Sequence, residues 1–380
     1  MTAQVAFFTS AAAVLATDSA VTVGGQKVYQ GAQKVFPLSD AAPLGALLFG
    51  NARLLDVPWA TLLGMFRSQH RNHDWSSLSD LVSAISSFID QTLADVIAAS
   101  DPPLWHERIE DLWGSITAAA SHGSSTSDEP DLEAVVSREH DAWQQADVLP
   151  RIAADDESAI HDAVRDEVKD LLRSLVDESE VEVQPDVLDS AVALALLTLT
   201  RCSPQGSESV SSSGLVIAGF PAGALGPSYT ELVFDGVSAT GIRMWPVSGE
   251  ACLTPGDVKI RAFAQHDGYR TLIDGVHPWY WPLLAEQLEA ASVPWDKIVR
   301  AFNEADDIWY RARAPRLQLA LNTLPVPALC EIAESFVSIT GLLQRISGSL
   351  ETVGGPVSVA VLSPGAPLRW MRRPSDSYGY

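Results

Sequence analysis

The sequence has few positive charges and few cysteines. Its 380 residues contain 25 Lys and Arg against 48 Asp and Glu, which gives a formal net charge of −23. Binding to phosphates requires an excess of Lys and Arg, so the composition argues against nucleic acid and an anionic membrane as partners. The three cysteines, Cys202, Cys252 and Cys330, form no CxxC pair. This spacing argues against a disulfide scaffold or a zinc ribbon, and it is typical of a reducing cytoplasm.

The arrangement of charged and apolar residues also predicts neither a secretory signal peptide nor a membrane span. The apolar residues near the start are not preceded by a positive charge, because the first one is Lys27. Asp18 occupies the place where a small-residue cleavage site would follow, so a signal peptide is disfavoured. A span needs about 18 uninterrupted apolar residues, and every such run contains a charge or a turn signal. We therefore expect a cytoplasmic protein with no membrane partner and no cofactor.

The order of apolar patterns predicts the fold class. Hydrophobic residues make up 47% of the chain, enough for a large core. Short apolar runs predict strands over residues 3–50, and helical spacing begins at Trp59. Strands are predicted again between residues 214 and 263, helices over 267–347, and strands after residue 356. This order differs from βαβ alternation, and it predicts an α+β protein with two packed sheets flanked by helices.

The middle of the sequence is strongly acidic. Residues 101–189 contain 24 acidic and 6 basic side chains, a net charge of −18. Helical spacing surrounds a polar stretch at 121–131, which we interpret as a flexible loop. We divide the chain into a first part of the core at 1–100, an acidic helical insertion at 101–185, and the remainder of the core at 186–380. The acidic runs are typical of solvated helix ends, and a docking surface for a basic protein partner is the alternative.

Three residues near the start have the chemistry of a catalytic group. Thr2, Asp18 and Lys34 are separated by 16 and 16 residues, and each lies at or beside a predicted strand. Removal of Met1 would leave Thr2 as the N-terminal residue, whose hydroxyl is a nucleophile and whose α-amine can take the proton. The Lys34 ammonium would lower the pKa of that amine, and Asp18 would hold Lys34 in place.

This group resembles the catalytic residues of a known family. Residues 2–55 are similar to the start of a proteasome β-type subunit, in the N-terminal-nucleophile hydrolase superfamily; Thr2, Asp18-Ser19 and Lys34-Val35-Phe36 match its spacing. The resemblance implies a four-layer αββα sandwich, here with a large acidic helical insertion. It implies a threonine-type peptidase or amidohydrolase acting on a peptide or small amide, with the Gly50 backbone N–H as oxyanion donor. Such subunits stack into rings, so a homo-oligomer, as a ring or a dimer, is also expected.

The resemblance further implies a substrate pocket and auxiliary residues. Five residues would face the first substrate side chain: Val21, Thr22, Ala32, Phe36 and Ala46. Their sizes favour a medium apolar side chain over a charged one. Three further residues are auxiliary candidates near the threonine amine: Ser19, Gln265 and Glu351. Gln265 stands where the family has a serine. Glu351 offers a carboxylate one position away from the family's aspartate. Both differences affect the groups that would set the pKa of the Thr2 amine.

Other interpretations stay open. The fold could serve as a non-catalytic interaction or scaffold protein with the acidic helices as its working surface, or as a small-molecule amidase of the same superfamily. His70 and His73 lie at helical spacing, but no third ligand is close in sequence, so a metal site is disfavoured. The aromatic run from Trp279 to Trp281 is typical of core packing or a subunit contact, and a ligand cage is the minor alternative.

Overall fold

The structure is a computed structural model that describes residues 2–23, 27–121, 132–153, 155–179, 181, 183–204, 212–265, 267–346 and 352–373. Its strands are β1 Ala3–Phe8, β2 Ala13–Thr17, β3 Val21–Val23, β4 Lys27–Tyr29, β5 Val35–Pro37, β6 Leu44–Gly50, β7 Arg53–Leu54, β8 Val57–Pro58, β9 Ser213–Gly219, β10 Ser228–Ser238, β11 Gly241–Cys252, β12 Lys259–Ala264, β13 Ser358–Ser363 and β14 Ala366–Arg372. Its helices are α1 Trp59–Gln69, α2 Leu78–Ala98, α3 Trp105–Ser121, α4 Leu132–Gln145, α5 Glu157–Ser179, α6 Pro185–Thr200, α7 Asp267–Asp274, α8 Tyr280–Ala290, α9 Trp295–Thr323 and α10 Val326–Ile346. The predicted α+β class is confirmed.

Two five-stranded sheets form the centre of the protein. The first sheet has the order β12-β1-β2-β13-β14, and the second has the order β11-β10-β9-β6-β5. All neighbouring strands in both sheets are antiparallel. Strands from the beginning of the chain therefore lie beside strands from much later in the chain, with β13 next to β2 and β9 next to β6.

Alternation of side chains along the strands explains how the sheets pack. In β1, Phe7 packs with α10, whereas Phe8 packs against the second sheet. In β6, Leu47 packs against the first sheet, whereas Leu48 packs with α1 and α2. Successive side chains of a strand point to opposite faces, so apolar residues at every position bury both faces. Each sheet thus has helices on its outer face, and the two inner faces share one core.

The acidic helices form a separate cluster with its own core. Trp113 of α3, Val136 of α4, Leu172 of α5 and Leu196 of α6 are all buried in this cluster. The predicted insertion ended at residue 185, but the packing continues through α6. The reason is that α6 is apolar on most of its surface and packs against α4 and α5. Sequence spacing shows that such a helix is buried, but it does not show which of the two cores contains it. Of the predicted loop at 121–131, residues 122–131 lie outside the described residues.

A buried ionic contact joins this helical cluster to the second sheet. Arg108 of α3 donates to Asp235 of β10 at 2.9 Å, and Arg243 of β11 lies 3.8 Å from the same carboxylate. Arg243 also donates to the backbone oxygen of Thr198 at the end of α6. The cluster is therefore fixed to the sheet by charged groups as well as by apolar packing.

Among the residues that the structure describes, two helices, α2 and α10, are long and apolar enough to cross a membrane by length and composition alone. Each has one face packed on a sheet: Leu81 and Ile85 of α2 lie in the core over the second sheet, and Ala333 and Val337 of α10 lie over the first. A core helix of a soluble protein passes the same test, so these helices are weak evidence for a span.

Candidate active site

The structure brings Thr2, Asp18 and Lys34 together where the two sheets meet. Thr2 directly precedes β1, Asp18 directly follows β2, and Lys34 directly precedes β5. The Lys34 Nζ atom lies 2.8 Å from Asp18 Oδ1 and 3.1 Å from Thr2 Oγ1. Only 5% of Thr2, 5% of Lys34 and 1% of Asp18 are exposed. A hydroxyl, an ammonium and a carboxylate thus form one buried hydrogen-bonded chain.

Backbone donors from three segments hold the Asp18 carboxylate. The N–H of Ala3 donates to Oδ1 at 3.1 Å, and the N–H groups of Ala20 and Gly354 donate to Oδ2 at 3.2 Å each. A buried carboxylate is stable only when its oxygens are hydrogen-bonded, and these donors with Lys34 fulfil that condition. Sequence reasoning missed Gly354 as a donor, because it lies 336 residues from Asp18 and no local pattern connects them.

Lys34 is tuned by its surroundings. Burial lowers its pKa from the ordinary value of 10.5, and the Asp18 carboxylate offsets part of that effect. Desolvation disfavours the charged form of a lysine, whereas a carboxylate in contact favours it. A lysine in this position can keep a positive charge beside Thr2 while releasing its proton more readily than a solvated lysine does.

Alternation along β6 places the backbone N–H of Gly50 on the strand edge that faces the Lys34 backbone. The Leu48 N–H donates to the Lys34 carbonyl oxygen at 2.8 Å, whereas the Asn51 N–H donates to the Ser212 carbonyl oxygen at 2.9 Å. Backbone N–H groups alternate between the two edges of a strand. The Gly50 N–H therefore faces the same edge as that of Leu48.

Replacement of Gly50 by alanine is expected to damage both stability and the site. Gly50 has φ +76°, and a Cβ there would lie 2.5 Å from the Ser212 carbonyl oxygen, so the backbone must shift. We expect the free energy of unfolding to fall by about 1–3 kcal/mol in urea titration. Gly223→Ala is the matched control, because Gly223 has φ +75° and a Cβ there meets no atom within 4 Å. Equal stability of the two variants would contradict the close approach at Gly50.

The auxiliary candidates flank the central group. The Gln265 N–H donates to the Thr2 carbonyl oxygen at 2.9 Å, and the Ser19 N–H donates to the Gly354 carbonyl oxygen at 3.2 Å. In the described part of the chain, Ser19 Oγ and Gln265 Oε1 are buried and have no hydrogen-bond partner. Two free polar groups therefore lie on residues that neighbour Asp18 and Thr2. Glu351 lies outside the described residues.

The predicted pocket residues fall into two groups. Phe36 and Ala46 are cross-strand partners in β5 and β6, and both are buried in the core with α1 and α2. Val21 and Ala32 are half-buried, and the Ala32 N–H donates to the Ser19 carbonyl oxygen at 3.1 Å. Thr22 lies in β3, and its side chain is outside what the structure describes. The first group is buried in the core, and Val21 and Ala32 are more accessible.

Gln4 is a residue near the site that sequence reasoning missed. Its Nε2 atom donates to the Leu48 carbonyl oxygen at 2.6 Å, which links β1 of the first sheet to β6 of the second. Gln4 is fully buried. A glutamine in an otherwise apolar strand was the available signal, since a buried amide needs a partner. This contact fixes the separation of the two sheets close to Thr2.

The remaining candidates are structural. His70 and His73 pack around the Trp75 ring, with centroid distances of 5.6 and 4.1 Å. Across the ranges described above, no group of three His, Cys, Asp or Glu side chains could hold a metal ion. Burial raises the pKa of Cys202 and that of Cys330 to about 11, so both stay thiols near neutral pH and are poor nucleophiles.

Two comparisons with known proteins were without a match. No family model matches the chain, and no curated protein matches it. The resemblance to proteasome β-type subunits therefore stays a prediction from the spacing of Thr2, Asp18 and Lys34.

Proposed function

We propose that the protein is a cytoplasmic hydrolase of the N-terminal-nucleophile type, similar to a proteasome β-type subunit, that cleaves peptide or other amide bonds. The carrying observation is that Lys34 Nζ contacts both Thr2 Oγ1, at 3.1 Å, and Asp18 Oδ1, at 2.8 Å. Burying three polar side chains is unfavourable unless they pair, and such clusters concentrate at functional sites. Two stacked antiparallel sheets with outer helices are compatible with the αββα sandwich of that superfamily.

In the proposed reaction, Thr2 is the N-terminal residue and its Oγ is the nucleophile. The oxygen attacks the amide carbonyl carbon, and the hydroxyl proton passes to the Thr2 α-amine. The C–N bond then breaks, the ammonium returns that proton to the leaving nitrogen, and the acyl group remains as an ester on Thr2. Water attacks the ester while the amine takes a proton from it. The ester bond breaks, Thr2 Oγ recovers the proton, and the carboxylic acid leaves.

The other residues of the site have supporting roles in this proposal. The Lys34 charge favours the neutral amine and stabilises the Thr2 oxygen as it loses its proton. Asp18 fixes the position of Lys34 through the 2.8 Å ion pair. The Gly50 N–H is the donor for the oxyanion, and a preorganised donor of this kind contributes about 3–4 kcal/mol to transition-state stabilisation.

The test is covalent labelling with a β-lactone or an epoxyketone, followed by intact-mass measurement. We expect one adduct on a chain that begins at Thr2, and no adduct on the Thr2→Ala variant. Thr9→Ala is the matched control, because Thr9 is also a buried threonine but follows the far end of β1. That variant should be labelled at the wild-type rate.

The outcomes separate the three functions that the sequence left open. A labelled Thr2 with turnover of peptides supports the peptidase. A labelled Thr2 with turnover of short acyl amides alone identifies a small-molecule amidase. A chain that begins at Thr2, is folded and takes no adduct from either electrophile contradicts the catalytic proposal and leaves the non-catalytic scaffold.

A further inference from the structure

Helix α9 is exposed over most of its length. Every residue from Asn303 to Ala320 whose side chain is described is exposed, so this stretch has no buried face. The helix is attached near its ends, where Ile298 and Leu321 are buried, and by hydrogen bonds from Trp309 and Arg313 to the Ile273 carbonyl oxygen. Helices in proteins owe most of their stability to the packing of an apolar face. This stretch contains large apolar residues, but they are not packed against the rest of the chain.

The exposed residues are of the types that form interfaces. Ile308 is 71% exposed, Tyr310 is 70% exposed and Leu319 is 68% exposed. The neighbouring aromatic residues Trp279 and Tyr280, at the start of α8, are 69% and 51% exposed, so this part of the aromatic run is not core packing. Several large exposed apolar residues in one region mark a protein contact, and interface cores are enriched in Trp, Tyr and Arg.

The charges along α9 make the helix complementary to a second copy of itself. Three acids, Glu304, Asp306 and Asp307, precede the apolar centre from Ile308 to Tyr310, and three arginines follow it: Arg311, Arg313 and Arg316. No other charged residue lies between Glu304 and Arg316, and within one chain Arg311 donates to Asp307 at 2.9 Å. Two such helices packed antiparallel place the acids of each against the arginines of the other. A two-fold axis then passes beside Trp309 and Tyr310, which is the self-complementary pattern of a two-fold dimer.

A groove along the first half of α9 fits the same arrangement. It has a volume of about 560 Å³ and is lined by apolar Trp295 and Val299, by Asn303, and by three acids and one arginine: Asp296, Glu304, Asp307 and Arg300. An antiparallel partner helix brings its own C-terminal half to this groove. That half carries Arg316, Leu317 and Leu319, so an apolar and acidic groove receives an apolar and basic segment.

We propose that α9 is a dimerisation helix, and that two copies of this chain pair through it antiparallel about a two-fold axis beside Trp309 and Tyr310. The proposal is independent of catalysis at Thr2. The competing occupant is the acidic cluster α3–α6 of another copy, which would attract the three arginines in a head-to-tail contact. The two-fold arrangement is favoured because it also pairs Glu304, Asp306 and Asp307, which the acidic cluster would repel.

The test uses two charge-reversal variants of the full chain. One carries Glu304→Arg and Asp307→Arg, so that its helix is basic at both ends of the apolar centre. The other carries Arg311→Glu and Arg316→Glu, so that its helix is acidic at both ends. Sedimentation velocity measures association of each variant alone and of an equimolar mixture. Leu225→Asp is the control, because it replaces an apolar residue that is 79% exposed on another part of the protein.

Wild type and Leu225→Asp should dimerise, while each charge-reversal variant alone should associate at least tenfold more weakly. The equimolar mixture should recover dimers to within about threefold of wild type, because opposite charges then meet at both ends. Unchanged melting temperatures exclude misfolding as the cause. A wild-type chain that stays monomeric at about 100 μM overturns the proposal. An equimolar mixture that fails to associate also overturns the proposal. An acid-to-arginine variant that associates as well as wild type overturns it too, and indicates the head-to-tail contact instead.

Discussion

Replacing Lys34 with methionine is expected to slow electrophile labelling of Thr2 by roughly 10²- to 10⁴-fold. Methionine has a similar length, so it fills the space that the lysine stem occupies. It removes the side chain that contacts both the Thr2 hydroxyl and the Asp18 carboxylate. The Asp18 carboxylate keeps its three backbone donors, so the variant is expected to fold with reduced stability. The second-order labelling rate constant, measured by intact mass, is the readout.

The pH dependence identifies what Lys34 contributes. Loss of a nearby positive charge raises the pKa of the Thr2 amine, so labelling of Lys34→Met should rise at higher pH than labelling of wild type. Lys34→Arg keeps the charge but holds its proton at all accessible pH values. If Lys34→Arg is still labelled, the role of Lys34 is electrostatic. If labelling is lost in both Lys34→Arg and Lys34→Met, Lys34 acts through proton exchange or through the geometry of its ammonium group. Lys169→Met, which removes an exposed ion pair of α5, is the control. A Lys34→Met variant labelled at the wild-type rate would contradict the proposed site.

The N-terminal half of the candidate site could be predicted because its information is local. The apolar runs of β1, β2 and β6 are short and bounded by turns, which fixes strands, and Thr2, Asp18 and Lys34 each lie at the end of one of the early strands. Antiparallel pairing of β1 with β2 brings Thr2 and Asp18 together, whereas Lys34 precedes β5 of the second sheet and reaches them from that sheet. A regular spacing of 16 residues between three chemically suitable side chains was therefore informative before any contact was known.

The rest depended on contacts between distant segments. The N–H of Gly354 reaches Asp18 because β13 pairs with β2, and nothing in the residues near Gly354 states that pairing. Helix α6 is apolar nearly all round, so its sequence shows that it is buried but not which core buries it. For α9 the reverse holds, because its apolar residues predict burial and the single chain leaves them exposed. In that case we propose that a second copy of the chain supplies the missing contacts.

The second large effect is expected in the contact that joins the helical cluster to the second sheet. Asp235 is fully buried, and it accepts from Arg108 at 2.9 Å and from Ser203 at 2.5 Å. Burial lowers the pKa of Arg108 and lowers that of Arg243 further below its ordinary value, and in both cases Asp235 opposes the shift. Two guanidinium groups thus share one carboxylate in a place where water cannot compensate them.

Asp235→Ala should therefore lower the free energy of unfolding by about 3–5 kcal/mol, because it leaves two buried cations without a counter-ion. Asp40→Ala is the control, since Asp40 pairs with the more exposed Arg67 and Arg71 and such surface pairs contribute about 0–1 kcal/mol. Adding Arg243→Met to Asp235→Ala removes one of the two uncompensated charges. The double variant should then lose less stability than the two single losses combined, with a coupling of about 0.5–3 kcal/mol. Additive losses in urea titration would show that Asp235 and Arg243 are not coupled, which would contradict a carboxylate shared by two guanidinium groups.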